Sequence, residues 1–195
     1  MRTCATKTLL ATTLKNMMKT TDLAHITIEE LTHEAGVTRN TFYYHFDDIY
    51  SLLKWIYDQE VVGDLRRHAQ LDEWQTAYRL LLDYIEDNRD FCIASFHSVG
   101  RDLLEQLLYA VAAEMVMRVV HDADPDVPKQ IARDITDFYG LAIVAQVIKW
   151  LLEGMVEPKD TLIRRAEIML RGGIANAIHN GRAAYGYYAV NRDNN

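Results

Sequence analysis

The sequence predicts an all-α protein with a small N-terminal head and a larger helical body, built from about nine helices. Three observations lead to this prediction. Apolar residues recur at three- and four-residue steps over most of the chain. No proline precedes Pro125, which favours long uninterrupted helices. The chain has 195 residues, of which 49% are hydrophobic, so it can bury one sizeable core or a small domain joined to a larger one.

Composition and charge narrow the possible functions and locations of the protein. The formal net charge of −7 excludes a protein that coats nucleic acid by bulk electrostatics, although it leaves room for a small binding face. Cys4 and Cys92 are too few for a disulfide framework, which indicates a reducing cytoplasm. The chain starts without the apolar segment of a signal peptide, and its most apolar run, residues 141–152, is too short to span a bilayer. We therefore expect a soluble cytoplasmic protein with no membrane partner.

The first three predicted helices form a helix-turn-helix head. An amphipathic first helix covers about residues 5–19. Thr27 followed three residues later by Glu30 predicts a capping box that opens the second helix, and Gly36 is suited to end it. Thr38 can then cap a third helix of barely two turns. Two short helices joined by a glycine-containing turn are typical of a helix-turn-helix.

The remaining helices form the predicted body. Asp47 or Asp48 offers the N-cap of a fourth helix that ends near His68. Residues 141–152 are apolar nearly all round, so this segment should be buried on more than one side. Pairing of the last two helices with their copies in a second subunit would cover the surplus apolar surface. Five further helices are predicted, over residues 71–88, 91–97, 101–121, 128–153 and 161–179.

These elements predict three regions. A helix-turn-helix head covers residues 1–47, and a helical body that can pair with a second subunit covers residues 48–180. Residues 181–195 lack a helical period, so we expect a loosely ordered tail.

The stretch TIEELTHEAGVTRNTFYYHFDDIYSLL, residues 27–53, resembles the helix-turn-helix signature of the TetR family of bacterial transcription regulators. In that signature an alanine-glycine-valine turn precedes a short recognition helix ending in an aromatic-x-histidine-phenylalanine motif. The later stretch FYGLAIVAQVIKWLLEGMVEP is similar to the subgroup related to dihydroxyacetone kinase regulators. The resemblance implies a ligand-responsive regulator, most simply a repressor, that binds double-stranded operator DNA as a homodimer and releases it when a small-molecule effector enters the body.

The resemblance also implies which residues contact DNA. Arg39 and Asn40 are the usual partners of guanine and adenine. Lys54 is the nearest substitute for a lysine that often opens the fourth helix, where this chain has Ile49. The residues implied to face the major groove are Thr38, Arg39, Asn40, Thr41 and Tyr44. Those implied to contact phosphates are Thr27, Tyr43 and His45.

The aromatic cluster of the third helix divides by position. Phe42 and Phe46 lie four residues apart on one face, so we expect both in the core of the head. Tyr43 and His45 keep polar tips for phosphate or water, and the imidazole should make DNA binding mildly dependent on pH. The low charge of this stretch predicts contact through hydrogen bonds and tyrosines, with a modest salt dependence.

An effector cavity has a weaker basis in the sequence. Candidate lining residues share an aromatic or imidazole ring and lie on predicted body helices; they are Trp74, Tyr78, Phe96, His97 and Tyr109. Aromatic residues at helical spacing are more often plain core than cavity lining. The segment HDADPD, residues 121–126, lacks the ligand spacing of a calcium loop and is typical of a solvated loop.

No hydrolase, zinc-protease or nucleotide-binding motif is present, so we predict no catalytic residue, metal site or cofactor. Two alternatives stay open at the level of sequence. One is a helical small-molecule-binding co-regulator with weak or no DNA binding, which the near-neutral head and Ile49 favour. The other is an all-α enzyme, which would need a convergent polar cluster in the body.

Overall fold

The computed structural model describes residues 2–62 and 74–192, and within them the protein is helical with no strand. A 3-10 turn, Leu23–His25, precedes the second helix, and the fourth continues into a π-helical turn, Asp58–Val62. The predicted all-α class and the number of helices are confirmed. The described residues form nine α-helices: α1 (Arg2–Met17), α2 (Ile28–Glu34), α3 (Arg39–Tyr43), α4 (Ile49–Tyr57), α5 (Trp74–Asp87), α6 (Arg89–Phe96), α7 (Arg101–Ala123), α8 (Lys129–Leu152) and α9 (Lys159–Arg192).

The chain divides into two compact units. Among the described residues, unit 1 contains α1 to α4, the end of α5, α6 and the start of α7. Unit 2 contains the start of α5, the rest of α7, α8 and α9. The predicted boundaries at residues 47 and 180 divide the chain by expected role, whereas the two units divide it by compactness. The boundaries therefore stay a prediction.

Local hydrogen bonds explain where the short helices of unit 1 begin and end. The Thr27 hydroxyl accepts from the Glu30 N–H at 3.2 Å, while the Glu30 carboxylate accepts from the Thr27 N–H at 3.0 Å. This reciprocal pair confirms the predicted capping box. Gly36 has a φ of 65°, a left-handed conformation that glycine adopts without strain, and it follows the last turn of α2. Thr38 and Asp48 cap α3 and α4 through backbone N–H groups three residues later, so Asp48 rather than Asp47 opens α4.

The core of unit 1 holds α3 against its neighbours. Phe42 is 0% exposed and Phe46 is 6% exposed, which confirms that both belong to the core. The turn between α6 and α7 also packs tightly in this unit. A Cβ atom at Gly100 would lie 2.7 Å from Leu53 and 3.3 Å from Leu23, so any larger residue here would force the Leu53 side chain to shift. Other fully buried side chains of the core are Leu10, Leu14, Leu31, Leu52 and Ile56.

In unit 2, α8 and α9 pack against each other at small residues. A side chain at Gly173 would collide with the Tyr139 hydroxyl, so this glycine lets α9 approach α8 closely at this point. The neighbouring Gly172 faces open space instead. Gly140 on α8 lies close to the ring of Tyr109, because a Cβ atom added at this glycine would be 3.3 Å from the ring.

The last helix is longer than predicted. α9 continues to Arg192, so the predicted end near His179 is wrong. The sequence beyond that point has no apolar period, but a polar contact fixes the helix there. Arg182 donates from Nε to the Asp124 carboxylate at 2.9 Å and from Nη2 to the Asp126 carbonyl at 3.0 Å. The Arg182 hydrogen bond also lowers the pKa of the Asp124 carboxyl.

The start of α8 differs by one residue from the prediction. Pro128 is the N-cap of α8, with an extended ψ of 135°, rather than its first helical residue as predicted. The predicted end of the fourth helix near His68 and the predicted opening of the fifth at Leu71 lie outside the described residues.

Among the described helices, α8 alone is long and apolar enough to cross a membrane by length and composition. Within its most apolar window, 44% of the residues are buried inside the fold. The core helix of a soluble protein has the same properties.

Candidate nucleic-acid interface

The predicted DNA-contacting residues of the head lie on or next to α2 and α3. We call the exposed and half-buried side chains of these two helices, of Thr27 and Thr38 that cap them, and of Tyr44 and His45 after α3, the α2–α3 surface. Tyr43 and Tyr44 are 56% and 79% exposed, which is far above the usual exposure of large aromatic residues. The exposed members of the predicted set are Thr27, Thr38, Arg39, Asn40, Tyr43 and Tyr44, and the half-buried members are Thr41 and His45.

Several hydroxyl groups of this surface already have partners. The Thr38 and Thr41 hydroxyl oxygens lie 2.9 Å apart, and the Thr27 hydroxyl donates to the Glu30 carboxylate at 2.8 Å. These three threonines therefore shape the helix starts. The Asn40 side chain is exposed to solvent. Its donors and acceptor are available to a ligand.

Arg39 is paired with a carboxylate of the neighbouring helix. Its Nη2 atom lies 2.5 Å from Oε2 of Glu29, and the two side chains are 58% and 72% exposed. Arg39 is the only lysine or arginine between Lys19 and Lys54. The α2–α3 surface is therefore locally acidic, and its single cation is partly neutralised inside the protein. The sequence signal for this pair is weak because the partners lie ten residues apart across a turn.

Two other lysines lie close to the head. Lys54 Nζ lies 3.8 Å from the Asp58 carboxylate one turn along the helix, and its side chain is exposed. Lys7 was not predicted as a site residue, yet its Nζ lies 5.3 Å from the ring centroid of Phe46 and 5.8 Å from that of Trp55. Both distances permit a cation–π interaction. Lys7 thus places a positive charge beside the end of α3.

A second polar group, which we call the Lys15 cluster, comprises Lys15, Glu60, Tyr84 and Asn88 in unit 1. Lys15 Nζ donates to the Glu60 carboxylate at 2.6 Å and to the Asn88 amide oxygen at 2.7 Å. The Tyr84 hydroxyl donates to the same Glu60 oxygen at 2.9 Å. Lys15 Nζ also lies 5.2 Å from the Phe91 ring centroid. The cluster connects α1 with the π-helical turn after α4 and with the junction of α5 and α6.

Buried groups lie beside the Lys15 cluster. Burial raises the pKa of the Cys92 thiol to about 12, and it also raises the pKa values of Tyr57 and Tyr84. All three groups therefore stay protonated at neutral pH. The hydroxyls of Tyr57 and Ser95 are buried without a hydrogen-bond partner among the described residues.

A cleft of about 610 Å³ opens next to the Lys15 cluster in unit 1. Its walls are polar and carry both signs of charge; they include Thr12, Lys19, Glu86, Arg89 and Asp90. None of the five predicted effector-binding residues lines this cleft.

The predicted effector-binding residues fall into both units. In unit 1, Phe96 is buried and its ring packs edge-on against exposed His97, with 5.4 Å between centroids. In unit 2, Tyr78 is 1% exposed, and burial raises its pKa to about 12. Tyr109 is half-buried and donates to the Asp137 carboxylate, and Trp74 is half-buried on α5. The effector site stays a prediction.

Unit 2 exposes an apolar face on its last two helices. Phe138 is the most exposed of these residues on α8, at 72%. Single exposed apolar residues are common on protein surfaces, whereas larger exposed apolar patches are typical of interaction sites. The exposed apolar residues of this face are Phe138, Leu141, Leu152, Ile168 and Met169.

Comparison with known proteins agrees with these features. A family model described as "Transcriptional regulator C-terminal region", of the TetR type, matches residues 72–172. Over 86 residues the chain is 27% identical to the "HTH-type dhaKLM operon transcriptional activator DhaS" of Lactococcus lactis subsp. lactis (strain IL1403). The alignment covers 44% of this chain and 46% of that relative, so the chain matches just under half of the relative's length.

The fold is similar to two solved structures. The dihydroxyacetone kinase operon activator DhaS superposes with a TM-score of 0.66 at 21% identity, over 87% of this chain and 96% of that one. NalD, the secondary repressor of the MexAB-OprM multidrug efflux pump in Pseudomonas aeruginosa, gives a TM-score of 0.55 at 16% identity over the same shares. At these identities the likeness is one of fold.

Proposed function

We propose that this chain, which belongs to the TetR family of transcriptional regulators, binds operator DNA as a homodimer and responds to a small-molecule effector. The observation that carries the proposal is the exposed polar face of α3. Phe42 anchors the helix while Arg39 and Asn40 face outward. Such side chains on a short helix can reach base edges in the major groove.

The proposed contacts follow the two implied sets. Thr38, Arg39, Asn40, Thr41 and Tyr44 would face the major groove. Thr27, Tyr43, His45 and Lys54 would contact phosphates. A Thr27 contact would use a hydroxyl that now bonds to Glu30. Contact with chromosomal DNA would place the protein in the cytoplasm.

DNA binding is tested with duplexes from the region upstream of the protein's own coding sequence, in an anisotropy titration repeated over a salt series. Arg39→Ala should weaken operator binding about 10- to 100-fold if the guanidinium reads a base. Lys129→Ala removes an exposed cation from unit 2 and serves as the control. Binding that ignores sequence, or an Arg39→Ala variant that binds like wild type, would contradict the proposal.

The homodimer is supported by the exposed apolar face of α8 and α9. Two copies of this face would bury it in a four-helix interface. Phe138→Lys should shift the protein toward a monomer in sedimentation velocity at micromolar concentration. Gln106→Lys adds the same charge at an exposed polar position and should leave the oligomeric state unchanged. A monomeric wild type would contradict this part of the proposal.

The proposed response to effector is a displacement of α4 that changes the separation of the two recognition helices. DNA half-sites repeat at about 34 Å, so a small change in separation is enough to weaken binding. Mass spectrometry of molecules that copurify with the protein identifies the effector. A matching compound should lower the operator affinity in the titration above; binding unchanged by every copurifying compound would count against the response.

We propose repression as the output. Relatives of this fold include NalD, named as a repressor, and DhaS, named as an activator. A reporter gene behind the operator should rise in expression when the regulator's gene is deleted. A fall in expression would assign activation instead.

The alternative is a small-molecule-binding co-regulator with weak DNA affinity. The acidic α2–α3 surface and the Arg39–Glu29 pair favour it, because both oppose phosphate binding. The salt series separates the two functions, since a co-regulator would bind operator and scrambled DNA equally weakly.

A further inference from the structure

Glu29 lies on the α2–α3 surface and holds the one cation available to read a base. We propose that Glu29 is a positioning residue that reserves Arg39 for guanine and disfavours its use on phosphate. The inference rests on the proposed operator binding, and it adds a determinant of specificity on α2, a helix outside the recognition helix.

The geometry leaves Arg39 competent to bind DNA while paired. Glu29 takes one contact, from Nη2, whereas a guanidinium carries five N–H donors. The remaining donors can form the two parallel bonds that guanine O6 and N7 accept. Because the planar group is held on one side, fewer of its orientations remain to be lost on binding.

The electrostatics distinguish the two possible partners. A phosphate bound to Arg39 would bring a negative charge close to the Glu29 carboxylate, and that carboxylate would oppose it. The guanine edge presents acceptors without a net charge, so it escapes this repulsion. Glu30 and Glu34 on the same helix add to the acidic field. Glu29 therefore penalises phosphate contact more than guanine contact.

A purely structural role for the pair predicts a different outcome. Both side chains are more than half exposed, and exposed ion pairs contribute little to stability. If Glu29 only tied α2 to α3, its removal would leave discrimination between DNA sequences unchanged. The specificity ratio therefore distinguishes the two roles.

The experiment compares the full-length wild type with Glu29→Gln and Glu34→Gln. Glu34 is exposed on the same helix, and its substitution removes the same charge without touching Arg39. Affinity is measured by anisotropy for an operator duplex selected by footprinting and for a scrambled duplex of equal length and composition, over a salt series. Circular dichroism checks that each variant is folded.

Glu29→Gln should strengthen binding to the scrambled duplex about tenfold and to the operator less than about threefold, because Arg39 becomes free for phosphate. Its salt slope on scrambled DNA should steepen by about one. Glu34→Gln should change both affinities by the same factor. In an Arg39→Ala background, Glu29→Gln should behave like Glu34→Gln.

Two results would overturn the inference. Glu29→Gln and Glu34→Gln could give the same specificity ratio, or Glu29→Gln could weaken operator binding and leave scrambled binding unchanged. A wild type without preference for the operator would overturn the operator-reading function together with this inference. The wild-type titration therefore separates failure of the function from failure of the role given to Glu29.

Discussion

Two of the glutamate–cation pairs in unit 1 lie in opposite surroundings. On the α2–α3 surface, the side chains of Arg39 and Glu29 are 58% and 72% exposed. Arg39 is the one described partner of the Glu29 carboxylate. In the Lys15 cluster, Lys15 and Glu60 are 20% and 35% exposed and share hydrogen bonds with two other side chains. An exposed pair can exchange partners at small cost, whereas a partly buried network fixes the helices that it joins. A glutamate–cation pair is thus suited to exchange of partners on the α2–α3 surface and to rigidity in the Lys15 cluster.

The largest expected effect is the difference in stability between a variant at a buried aromatic residue of the head and a variant at an exposed one. Phe42→Ala removes a fully buried ring and should lower the free energy of unfolding by about 3–5 kcal/mol. Tyr44→Ala should change it by less than about 0.5 kcal/mol while weakening operator binding. Urea unfolding and anisotropy measure the two quantities. Equal destabilisation by the two variants would contradict the burial pattern.

The Lys15 cluster should contribute more to stability than a surface lysine of the same helix. Lys15→Met leaves the Glu60 carboxylate half-buried without its cation, so the free energy of unfolding should fall by about 1–3 kcal/mol. Lys19→Met breaks only an exposed bond to Asn16 and should change it by less than about 0.5 kcal/mol. If both variants unfold at the same urea concentration, the cluster does not fix the helices.

The buried thiol provides a probe of the interior region. Cys92 is buried and its pKa is raised to about 12, whereas Cys4 is exposed. Iodoacetamide at pH 8 should label Cys4 rapidly and Cys92 only through opening of unit 1. Lys15→Met should accelerate Cys92 labelling at least twofold, with Cys4 as the internal standard. Equal rates at the two cysteines would mean that the interior region is open.

The same thiol gives the stability a pH dependence. Its folded pKa is raised, so its contribution is complete below the unfolded value of about 8.5 and is lost as the pH rises toward 12. Cys92→Ala should flatten the decline of the unfolding midpoint between about pH 8.5 and 11. A decline as steep as that of wild type would assign the loss to the buried tyrosines.

The smallest effect belongs to the exposed pair. Glu29→Gln should leave the free energy of unfolding within about 0.5 kcal/mol of wild type, because water solvates both charges. Urea unfolding checks this value next to that of Lys15→Met. A loss as large as that of Lys15→Met would remove the contrast between the two regions.

The sequence predicts those features that depend on residues close together in the chain. The Thr27 and Thr38 caps, the left-handed Gly36 and the burial of Phe42 and Phe46 all follow from spacings of three or four residues. These local signals were enough for the fold class and for the exposed face of α3.

Contacts between distant residues could not be predicted in this way. Lys15 bonds to partners 45 and 73 residues away, and nothing in its local pattern distinguishes it from Lys19. Arg182 likewise fixes α9 through Asp124, 58 residues away, which explains the error in the predicted helix end. Such contacts depend on how helices pack, and periodicity alone carries no information on them.

The turn between α6 and α7 has a mechanical consequence for this protein. At Gly100 the space to Leu53 on α4 and to Leu23 before α2 is smaller than a methyl group requires. A side chain added at this position would have to displace the ends of the Leu53 and Leu23 side chains, so it would strain α4 and the turn before α2 together. A bulky group attached at this turn would therefore test whether strain placed on Leu53 and Leu23 reaches α4.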